Sequence, residues 1–391
     1  MMTSSRNSSR VLVLTAILLW PAAPWNAGAE PPAWDPGKAA QYLDWRMEVR
    51  AGKAKPLRTG QDKTACVSCH TVIPYVLARP LLRKALGQAQ LTRQEAKLYD
   101  EVEQRAATYQ THELAYESKP DQSRGTEAVL NALILANRGA NQPDSNLREP
   151  VRQAFEELWA RQRPDGAWDW LDSALEPYES KDAAYWGASL AAIAVGMAPA
   201  SDGTPSADAS SHRDRLRHYL TSRYPDQNLF NQIWLLLADT YWAGLLTASQ
   251  KEQLQREVFK LQAADGGWAL YQLGPWRWSK TAPPFKPPGR LDAQTLTTSD
   301  GYATGLIVFA LRRSGLPKSH PGLASAKQWL AANQRGDAAD PRLGAFWLAQ
   351  SINRGGDYTA RPDTAWQKLF MADSATAFAA LALLTFDQAQ K

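Results

Sequence analysis

The residues with the most specific chemistry in this sequence are its only two cysteines, which lie in the segment Cys66-Val67-Ser68-Cys69-His70. The pattern Cys-x-x-Cys-His is typical of covalent attachment of a c-type haem, in which each thiol joins one vinyl group of the porphyrin. The histidine that follows directly then supplies an axial imidazole to the iron. We therefore predict one covalent haem per chain, attached at Cys66 and Cys69 and ligated by His70.

Three other uses of the cysteine pair agree less well with the sequence. A structural zinc site needs two further cysteine or histidine ligands nearby, and the next histidine is His112. A thioredoxin-like redox pair needs a βαβ context, which the sequence does not indicate. A plain disulfide would leave the histidine directly after Cys69 as a coincidence.

The motif does not determine the sixth iron ligand. Redox cytochromes commonly use methionine or a second histidine there, and methionine raises the potential. His112 is the nearest imidazole and is our candidate, although a histidine at a helix end in a charged stretch is also typical of a solvated side chain. An open or water-filled position, Met47 and Met197 are the alternatives.

The first residues have the pattern of a secretory signal peptide. Arg6 and Arg10 precede an apolar run from Val11 to Trp20, and Ala27-Gly-Ala29 has the small-x-small pattern of a cleavage site. The run is too short to cross about 30 Å of hydrocarbon. We therefore predict cleavage near Ala29, export to the periplasm, and no transmembrane segment in the mature chain.

The composition limits the classes of partner. The 391 residues carry 44 Lys+Arg and 39 Asp+Glu, a formal charge of +5 without a long basic run. Nucleic-acid binding needs clustered Lys and Arg, so no nucleic-acid partner is predicted. A hydrophobic content of 44% is ordinary for a globular protein, and two cysteines are too few for a disulfide-stapled scaffold.

Two parts of the mature chain are expected to position these residues. After the signal peptide, 1–29, we predict a haem-binding segment at 30–122 and a second domain at 123–391. The first part contains a short helix, the motif, an amphipathic segment and a capping box at Thr92-x-x-Glu95. In the amphipathic segment, Arg79 and Arg83 suit bidentate contacts to haem propionates and equally suit a solvated helix face.

The second part alternates polar helices with strongly apolar ones. The apolar helices are predicted at Thr126–Ala136, Asp182–Val195, Gln227–Trp242, Asp300–Leu311 and Asp373–Leu384. Helices that are apolar all round must be buried, so they suit an inner ring and the polar helices an outer ring. No convincing period-2 strand is present. We therefore predict an all-α fold, an α/α toroid of helical hairpins with an N-terminal haem-bearing helical segment.

The polar helices lead into a repeated turn. Gln162-Arg-Pro-Asp-Gly-Ala-Trp168 and Gln262-Ala-Ala-Asp-Gly-Gly-Trp268 are clear copies, and Gln334 with Gly344-Ala-Phe-Trp347 is a degenerate one. In such a turn Gln can bond free backbone groups at a helix end while the Trp ring packs across the turn. The turn resembles the QW repeat of squalene/hopene cyclases and the prenyltransferase-like toroid superfamily, over residues 123–388. The whole chain resembles a bacterial family of exported proteins that join a Cys-x-x-Cys-His segment to a cyclase-like toroid.

The resemblance does not extend to the chemistry of those enzymes. The cyclases carry an Asp-x-Asp-Asp-Thr-Ala acid motif at the start of an inner helix, and the corresponding segment here is Asp373-Ser-Ala-Thr-Ala377. Ser374 and Ala375 replace the paired aspartates and are not strong acids. Protein prenyltransferases hold zinc with Asp, Cys and His, and both cysteines are already assigned. Terpene cyclase and prenyltransferase activities are therefore not predicted.

Acidic residues at helix starts are a further candidate feature. Asp182, Asp300 and Asp373 each lie at or near the start of an apolar helix. Aspartate at this position caps the helix and favours the positive end of its dipole. The alternative is an acidic binding rim around one end of the toroid.

Aromatic and proline-rich segments of the toroid offer two more alternatives. Trp186, Trp234 and Trp242 on apolar helices fit either core packing or the wall of an apolar cavity. The segment Trp276–Pro288 is too rich in proline for a regular helix. It fits either an insertion between hairpins or a lid.

Three functions follow from these features. The first is electron transfer by an exported c-type haem protein with a redox partner protein, the toroid serving as a docking or apolar-ligand body. The second is a haem-dependent oxidoreductase that acts on an apolar, isoprenoid-like substrate held in the toroid. The third is a terpenoid-binding or redox- or gas-sensing scaffold. Because all three share one attachment motif, the sequence does not decide whether the protein is an enzyme.

Overall fold

Apolar helices alternate with amphipathic ones along the chain, and each pair forms a hairpin. The computed structural model describes residues 33–142, 145–198, 207–276, 297–336, 340, 343–349, 351–353 and 370–387. The predicted signal peptide, 1–29, lies outside these ranges. So does the part of the predicted insertion from 277 to 288.

Within the described ranges the hairpins supply an outer and an inner set of helices. The outer helices are α1 Pro36–Lys53, α3 Arg93–Ala107, α5 Arg148–Ala160, α7 Ala207–Arg223, α9 Ala248–Lys260 and α11 Pro321–Ala332. The inner helices are α2 Val72–Ala85, α4 Pro120–Asn141, α6 Ala183–Met197, α8 Leu229–Asp239, α10 Gly301–Arg313 and α12 Phe370–Asp387. Each inner helix packs against the next, and α12 packs against α2, so the inner helices form a closed ring. The predicted α/α toroid is confirmed.

The first hairpin is part of this ring. Five inner helices were expected, and they correspond to α4, α6, α8, α10 and α12; the sixth, α2, comes from the segment that was expected to carry haem outside the ring. Eleven of the residues of α2 are buried, including Arg79 and Arg83. These two charged residues make the segment look amphipathic in sequence, which is why its buried position was not predicted.

The last inner helix is also the most apolar long helix of the described chain. By length and composition α12 is able to span a membrane. In the fold, however, 83% of its apolar window is buried against neighbouring helices. Its apolar composition is therefore that of a core helix in the ring.

Two short hairpins of β-strand were not predicted. Strand β1, Pro56–Thr59, pairs antiparallel with β2, Asp62–Ala65, and β3, Arg335–Gly336, pairs with β4, Ala345–Phe346. The loop of the first hairpin has two residues, and its Gly60 has φ of 63°. A two-residue loop with glycine at a positive φ is a hairpin signal. This hairpin ends directly before Cys66, so the cysteine motif lies between β2 and α2.

The tryptophan of each repeated turn binds the end of the preceding outer helix. The indole N–H of Trp168 donates to the carbonyl of Leu158 at 2.7 Å, and that of Trp268 donates to Val258 at 2.8 Å. In the degenerate copy, Trp347 donates to Leu330 at 2.8 Å. The three copies therefore share one structural role, since each satisfies a carbonyl at a helix C-terminus.

The glutamine of each turn connects one hairpin to the next. Gln162 Nε2 donates to the carbonyl of His212 in α7 at 3.0 Å, and Gln262 Nε2 donates to Gly322 in α11 at 2.8 Å. Gln334 Nε2 donates to the carbonyl of Asp35, the N-cap of α1, at 2.8 Å, and Gln334 Oε1 accepts from the Asp35 N–H at 2.6 Å. The third turn thus ties the last hairpins to the first and closes the ring.

Candidate active site

The N-terminal ends of inner helices meet at one end of the ring, which we call the mouth. The hydroxyl of Tyr178, before α6, lies 2.5 Å from Ser374 Oγ in the first turn of α12. Ser374 Oγ also donates to the carbonyl of His70, before α2, at 3.3 Å. The ring of Tyr178 stacks on that of Tyr302, in the first turn of α10, with centroids 6.2 Å apart. Four inner helices therefore begin side by side at the mouth.

The cysteine motif lies at the mouth, in the turn between β2 and α2. Cys66 is half-buried, whereas Cys69 is 2% exposed and belongs to the hydrophobic core. The ring of His70 stacks on Phe370 with centroids 3.8 Å apart, and its Nδ1 lies 3.1 Å from Thr71 Oγ1. Burial and two nearby arginines lower the pKa of His70 to about 3, so its imidazole is neutral.

This arrangement does not fit the predicted c-type haem. A porphyrin joined to both sulfurs needs open space beside them and an imidazole directed at its iron. Core side chains surround Cys69, and Phe370 covers a face of the His70 ring. The described ranges also bring together no group of three His, Cys, Asp or Glu side chains suited to a metal ion. The prediction of haem held by Cys66, Cys69 and His70 is therefore wrong.

His112, predicted as a possible sixth ligand, lies in a buried ionic cluster. Its Nδ1 is 3.1 Å from the carbonyl of Thr108, and its Nε2 is 3.1 Å from the carboxylate of Glu127. Arg105 donates to both oxygens of the same carboxylate, at 2.7 and 2.9 Å. Burial opposes ionisation, but the hydrogen bond from His112 and the charge of Arg105 lower the pKa of Glu127 to about 2. Both ring nitrogens of His112 thus lie within hydrogen-bond distance of oxygen atoms of the protein.

The other residues considered for a haem pocket also have local partners. Arg79 donates to both carboxylate oxygens of Asp44, at 3.0 and 3.2 Å. Arg83 donates to Glu95 at 3.3 Å. The two methionines considered as ligands pack on core side chains; these are Met47 and Met197. The predicted propionate contacts are replaced by ion pairs that join α2 to α1 and α3.

The three aspartates at helix starts do not act as a common rim. Asp300 caps α10, where its Oδ1 accepts from two backbone N–H groups of the first turn, each at 2.9 Å. Asp373 is fully buried and bound by Arg46 at 2.5 and 3.0 Å. Asp182 takes the N-cap position of α6 without a side-chain cap bond. Helix capping, the first explanation of these aspartates, is confirmed for Asp300.

The buried cap of α10 leads to a testable pH dependence. Burial raises the pKa of Asp300 to about 7, despite three backbone N–H donors that favour its charged form. Between the two pKa values the Asp300 carboxyl therefore stays protonated in the folded chain. In the unfolded chain, where its pKa is about 4, it releases this proton. The contribution of Asp300 to the free energy of unfolding should fall as pH rises from about 4 to about 7, by a few kcal/mol at most.

Urea unfolding of the wild type and of Asp300→Asn, at about pH 5 and about pH 8, measures this contribution. The difference between the two proteins separates Asp300 from the other titrating groups. The wild type should lose more stability than D300N between the two pH values. Equal losses would show that Asp300 is ionised in the folded chain throughout this range.

Two of the three tryptophans considered for a cavity wall belong to the core. Trp186 and Trp234 are each 1% exposed and pack edge to face, with centroids 5.6 Å apart. Trp242 is partly buried beneath the guanidinium of Arg217, which lies 4.3 Å from the ring centroid. Trp276, the first residue of the predicted lid, is 3% exposed. Core packing, rather than the wall of a cavity, is therefore the role of Trp186 and Trp234.

Glu179 is the residue at the mouth that the sequence analysis missed. Its backbone pairs with that of Leu175 in both directions, at 2.8 and 2.9 Å, and this pairing holds it just before α6. The carboxyl group is half-buried. Burial raises the pKa of Glu179, and a hydrogen bond with Ser173 and the charge of Lys119 oppose the rise. The only signal in the sequence was its place before a predicted apolar helix.

A cation and an aromatic ring lie beside this carboxyl group. The Lys119 ammonium donates to the carbonyl of Asp172 at 2.6 Å and to Ser173 Oγ at 3.3 Å. Tyr116 is 39% exposed, and burial together with the charge of Glu179 raises its pKa. A carboxyl group with a raised pKa, a positive charge and an exposed ring are thus grouped at one side of the mouth.

Comparison with known proteins identifies the fold. No protein-family model and no curated protein match the sequence. Among solved structures, an unsaturated glucuronyl hydrolase from Bacillus sp. GL1, responsible for the degradation of glycosaminoglycan, is 12% identical, with a TM-score of 0.53 over 90% of this chain and 96% of that one. An unsaturated glucuronyl hydrolase specific for heparin is 10% identical, with a TM-score of 0.54 over 90% of this chain and 95% of that one. An unsaturated glucuronyl hydrolase from Streptococcus agalactiae is 10% identical, with a TM-score of 0.53 over 91% of this chain and 93% of that one.

These similarities correct the function predicted from the cysteine motif. The structures that share the fold are hydrolases, and the fold they share includes most of this chain. The motif forms part of the first hairpin of the ring and does not fit haem. The predicted electron-transfer cytochrome is therefore wrong, and so are the haem-dependent oxidoreductase and the haem-based sensor offered as alternatives. Of the stated resemblance, the α/α toroid alone is supported.

Proposed function

We propose that this chain is a hydrolase of oligosaccharides that end in an acidic sugar, and that Glu179 is its proton donor. The observation that carries the proposal is the raised pKa of a half-buried carboxyl group at the mouth of the ring. A carboxyl group that keeps its proton closer to neutral pH meets the requirement for a general acid in glycoside hydrolysis.

In the proposed reaction the Glu179 carboxyl group first donates one proton and later accepts one. Its proton passes to the oxygen that leaves when the bond to the acidic sugar breaks. Water adds to the carbon from which that oxygen departs, and a proton of the water returns to the Glu179 carboxylate. A positioned general acid of this kind contributes about 10²- to 10⁴-fold in rate.

The neighbours of Glu179 support an acidic sugar as substrate. The Lys119 ammonium is held in place by two oxygens and supplies a positive charge beside the reacting carboxyl group. The exposed face of Tyr116 suits stacking against a sugar ring, since an aromatic ring offers a flat apolar surface with a polar edge. We infer that Lys119 binds the sugar carboxylate and Tyr116 orients the ring.

The similar structures suggest which acidic sugars to test. They include enzymes described as unsaturated glucuronyl hydrolases, one of them responsible for glycosaminoglycan degradation and one specific for heparin. We therefore propose oligosaccharides with a terminal unsaturated uronic acid as the first substrate class. The predicted export to the periplasm is part of this proposal, because it would place the protein where such fragments enter the cell.

The test is a hydrolysis assay with the purified full chain. Unsaturated disaccharides from heparin and from chondroitin are compared with a neutral gluco-oligosaccharide. Loss of the ultraviolet absorbance of the unsaturated sugar and release of reducing ends report the reaction. We expect turnover of at least one acidic substrate and none of the neutral one. Turnover of the neutral substrate alone, or of no substrate in the panel, would overturn the proposal.

A further inference from the structure

The two cysteines differ in accessibility although only two residues lie between them. Cys66 is half-buried, and Cys69 is 2% exposed. The pair occupies a tight turn that leads into α2, where the Val72 N–H already bonds to the carbonyl of Ser68 at 3.1 Å. An accessible first thiol followed by a covered second thiol suits disulfide exchange, because only the first thiol is open to attack on an external disulfide.

A buried guanidinium group lies beside Cys66. Arg50, at the C-terminal end of α1, is 6% exposed, and its Nη2 donates to the carbonyl of Cys66. Its Nε, also buried, has no hydrogen-bond partner in the described part of the chain. Burial raises the pKa of both thiols, most strongly that of Cys69, while Arg50 and Arg105 oppose the rise at Cys66. Cys66 is therefore the thiol that ionises more readily.

The charge of Glu179 and two exposed apolar side chains are further features of this end of the ring. Burial raises the pKa of both Cys69 and Tyr116, and the charge of Glu179 raises it further at each. Leu175, whose backbone pairs with that of Glu179, is 38% exposed, and Tyr116 is 39% exposed. These are the two large hydrophobic side chains exposed among the described residues.

We propose that Cys66 and Cys69 form a redox-active dithiol that exchanges with disulfides of peptides or small thiols, with Cys66 as the attacking thiol. The Cys66 thiolate attacks one sulfur of the external disulfide, whose S–S bond breaks and whose first thiolate leaves and takes a proton from water. Cys69 then gives its proton to water as its sulfur attacks Cys66, and the second external thiolate is released. The pair is oxidised by two electrons to an intramolecular disulfide, and the external disulfide is reduced to two thiols.

The test uses the full wild-type chain and needs no glycan. The reduced protein is equilibrated with glutathione and glutathione disulfide at a series of ratios, quenched with acid, alkylated and weighed by mass spectrometry. We expect two free thiols or none, interconverting with one midpoint. A pair that stays reduced at every ratio, or thiols that react independently, would overturn the proposal. A purified protein whose sulfurs carry covalent haem, seen in its absorption spectrum, would overturn it as well.

Single substitutions test the order of the two thiols. Cys69→Ser should trap glutathione on Cys66 as a stable mixed disulfide, and Cys66→Ser should react at least tenfold more slowly than C69S. Arg50→Met should move the pH dependence of Cys66 alkylation to higher pH, a readout that a purely structural role would not change. If C66S reacts as fast as C69S, then Cys66 is not the attacking thiol. The wild-type titration remains decisive if a variant fails to fold.

Discussion

Replacing Glu179 with glutamine is expected to lower kcat for hydrolysis of the acidic oligosaccharide by about 10²- to 10⁴-fold. Glutamine has nearly the same size and can keep a hydrogen bond to Ser173, but its amide is too weak an acid to donate a proton. Because burial already disfavours the charged form of Glu179, the neutral amide should not destabilise the fold. The free energy of unfolding of Glu179→Gln should stay within about 1 kcal/mol of the wild type.

Glu117→Gln is the matched control for this substitution. Glu117 is exposed, and its ion pair with Lys55, at 3.7 Å, lies on the surface. Its replacement should leave kcat within about twofold of the wild type, since exposed ion pairs contribute little. Equal losses of kcat in E117Q and E179Q would point to a general effect of charge rather than to proton donation.

The pH profile separates a proton donor from a residue that only shapes the site. A general acid works in its protonated form, so kcat should fall as pH rises through the raised pKa of Glu179. The residual activity of E179Q should lack this fall. A variant that keeps the wild-type kcat and the wild-type profile would contradict the role of Glu179, even if the wild type hydrolyses the substrates.

The sequence predicts the helices of the ring well where burial determines the pattern of apolar residues. A helix such as α6, Ala183–Met197, is apolar on every side because other helices surround it, and no other element satisfies that pattern. The turn containing Gln162 and Trp168 was also predicted, but the roles of its residues differ from the prediction. The Trp168 indole, not Gln162, donates to a carbonyl at the end of the preceding helix, and Gln162 bonds to the next hairpin. The helix α2 was misplaced because its buried Arg79 has a partner, Asp44, on another helix. Such a partner is not visible along the sequence.

The candidate site was predicted poorly for a related reason. A Cys-x-x-Cys-His motif specifies the order of three side chains but not the space around them. In the folded chain Phe370, 300 residues from His70, covers the imidazole, and core residues cover Cys69. No sequence motif marks Glu179. Burial raises the pKa of its carboxyl group, and Ser173 and Lys119 oppose the rise. Long-range packing therefore decides the chemistry of the mouth.

The same long-range packing creates a buried ion pair that closes the ring a second time. Asp373, in the first turn of α12, accepts from Arg46 Nε at 2.5 Å and from its Nη2 at 3.0 Å. The Tyr42 hydroxyl donates to this carboxylate at 3.1 Å, and Thr71 Oγ1, at the N-cap of α2, donates to it at 2.6 Å. Burial raises the pKa of Asp373, and Arg46 opposes the rise. The last inner helix is thus joined to both helices of the first hairpin.

Arg46→Met is expected to lower the free energy of unfolding by about 3–5 kcal/mol, because it leaves a buried carboxylate without its cation. Without Arg46 the folded chain holds a proton on Asp373 more firmly than the unfolded chain does, so the loss should grow as pH rises. The double variant Arg46→Met, Asp373→Leu should recover part of the loss, since an apolar pair replaces an unpaired charge.

Denaturant unfolding at about pH 5 and about pH 8 measures both effects, with Arg152→Met as the control. Arg152 forms exposed ion pairs with Glu149 and Glu156 on α5. Its loss should lower the free energy of unfolding far less than the loss of Arg46, because exposed ion pairs contribute little. If R46M costs no more than R152M, the carboxylate of Asp373 is stabilised by its two hydroxyl donors alone. The junction between α12 and the first hairpin would then depend on the Gln334 turn and on apolar packing.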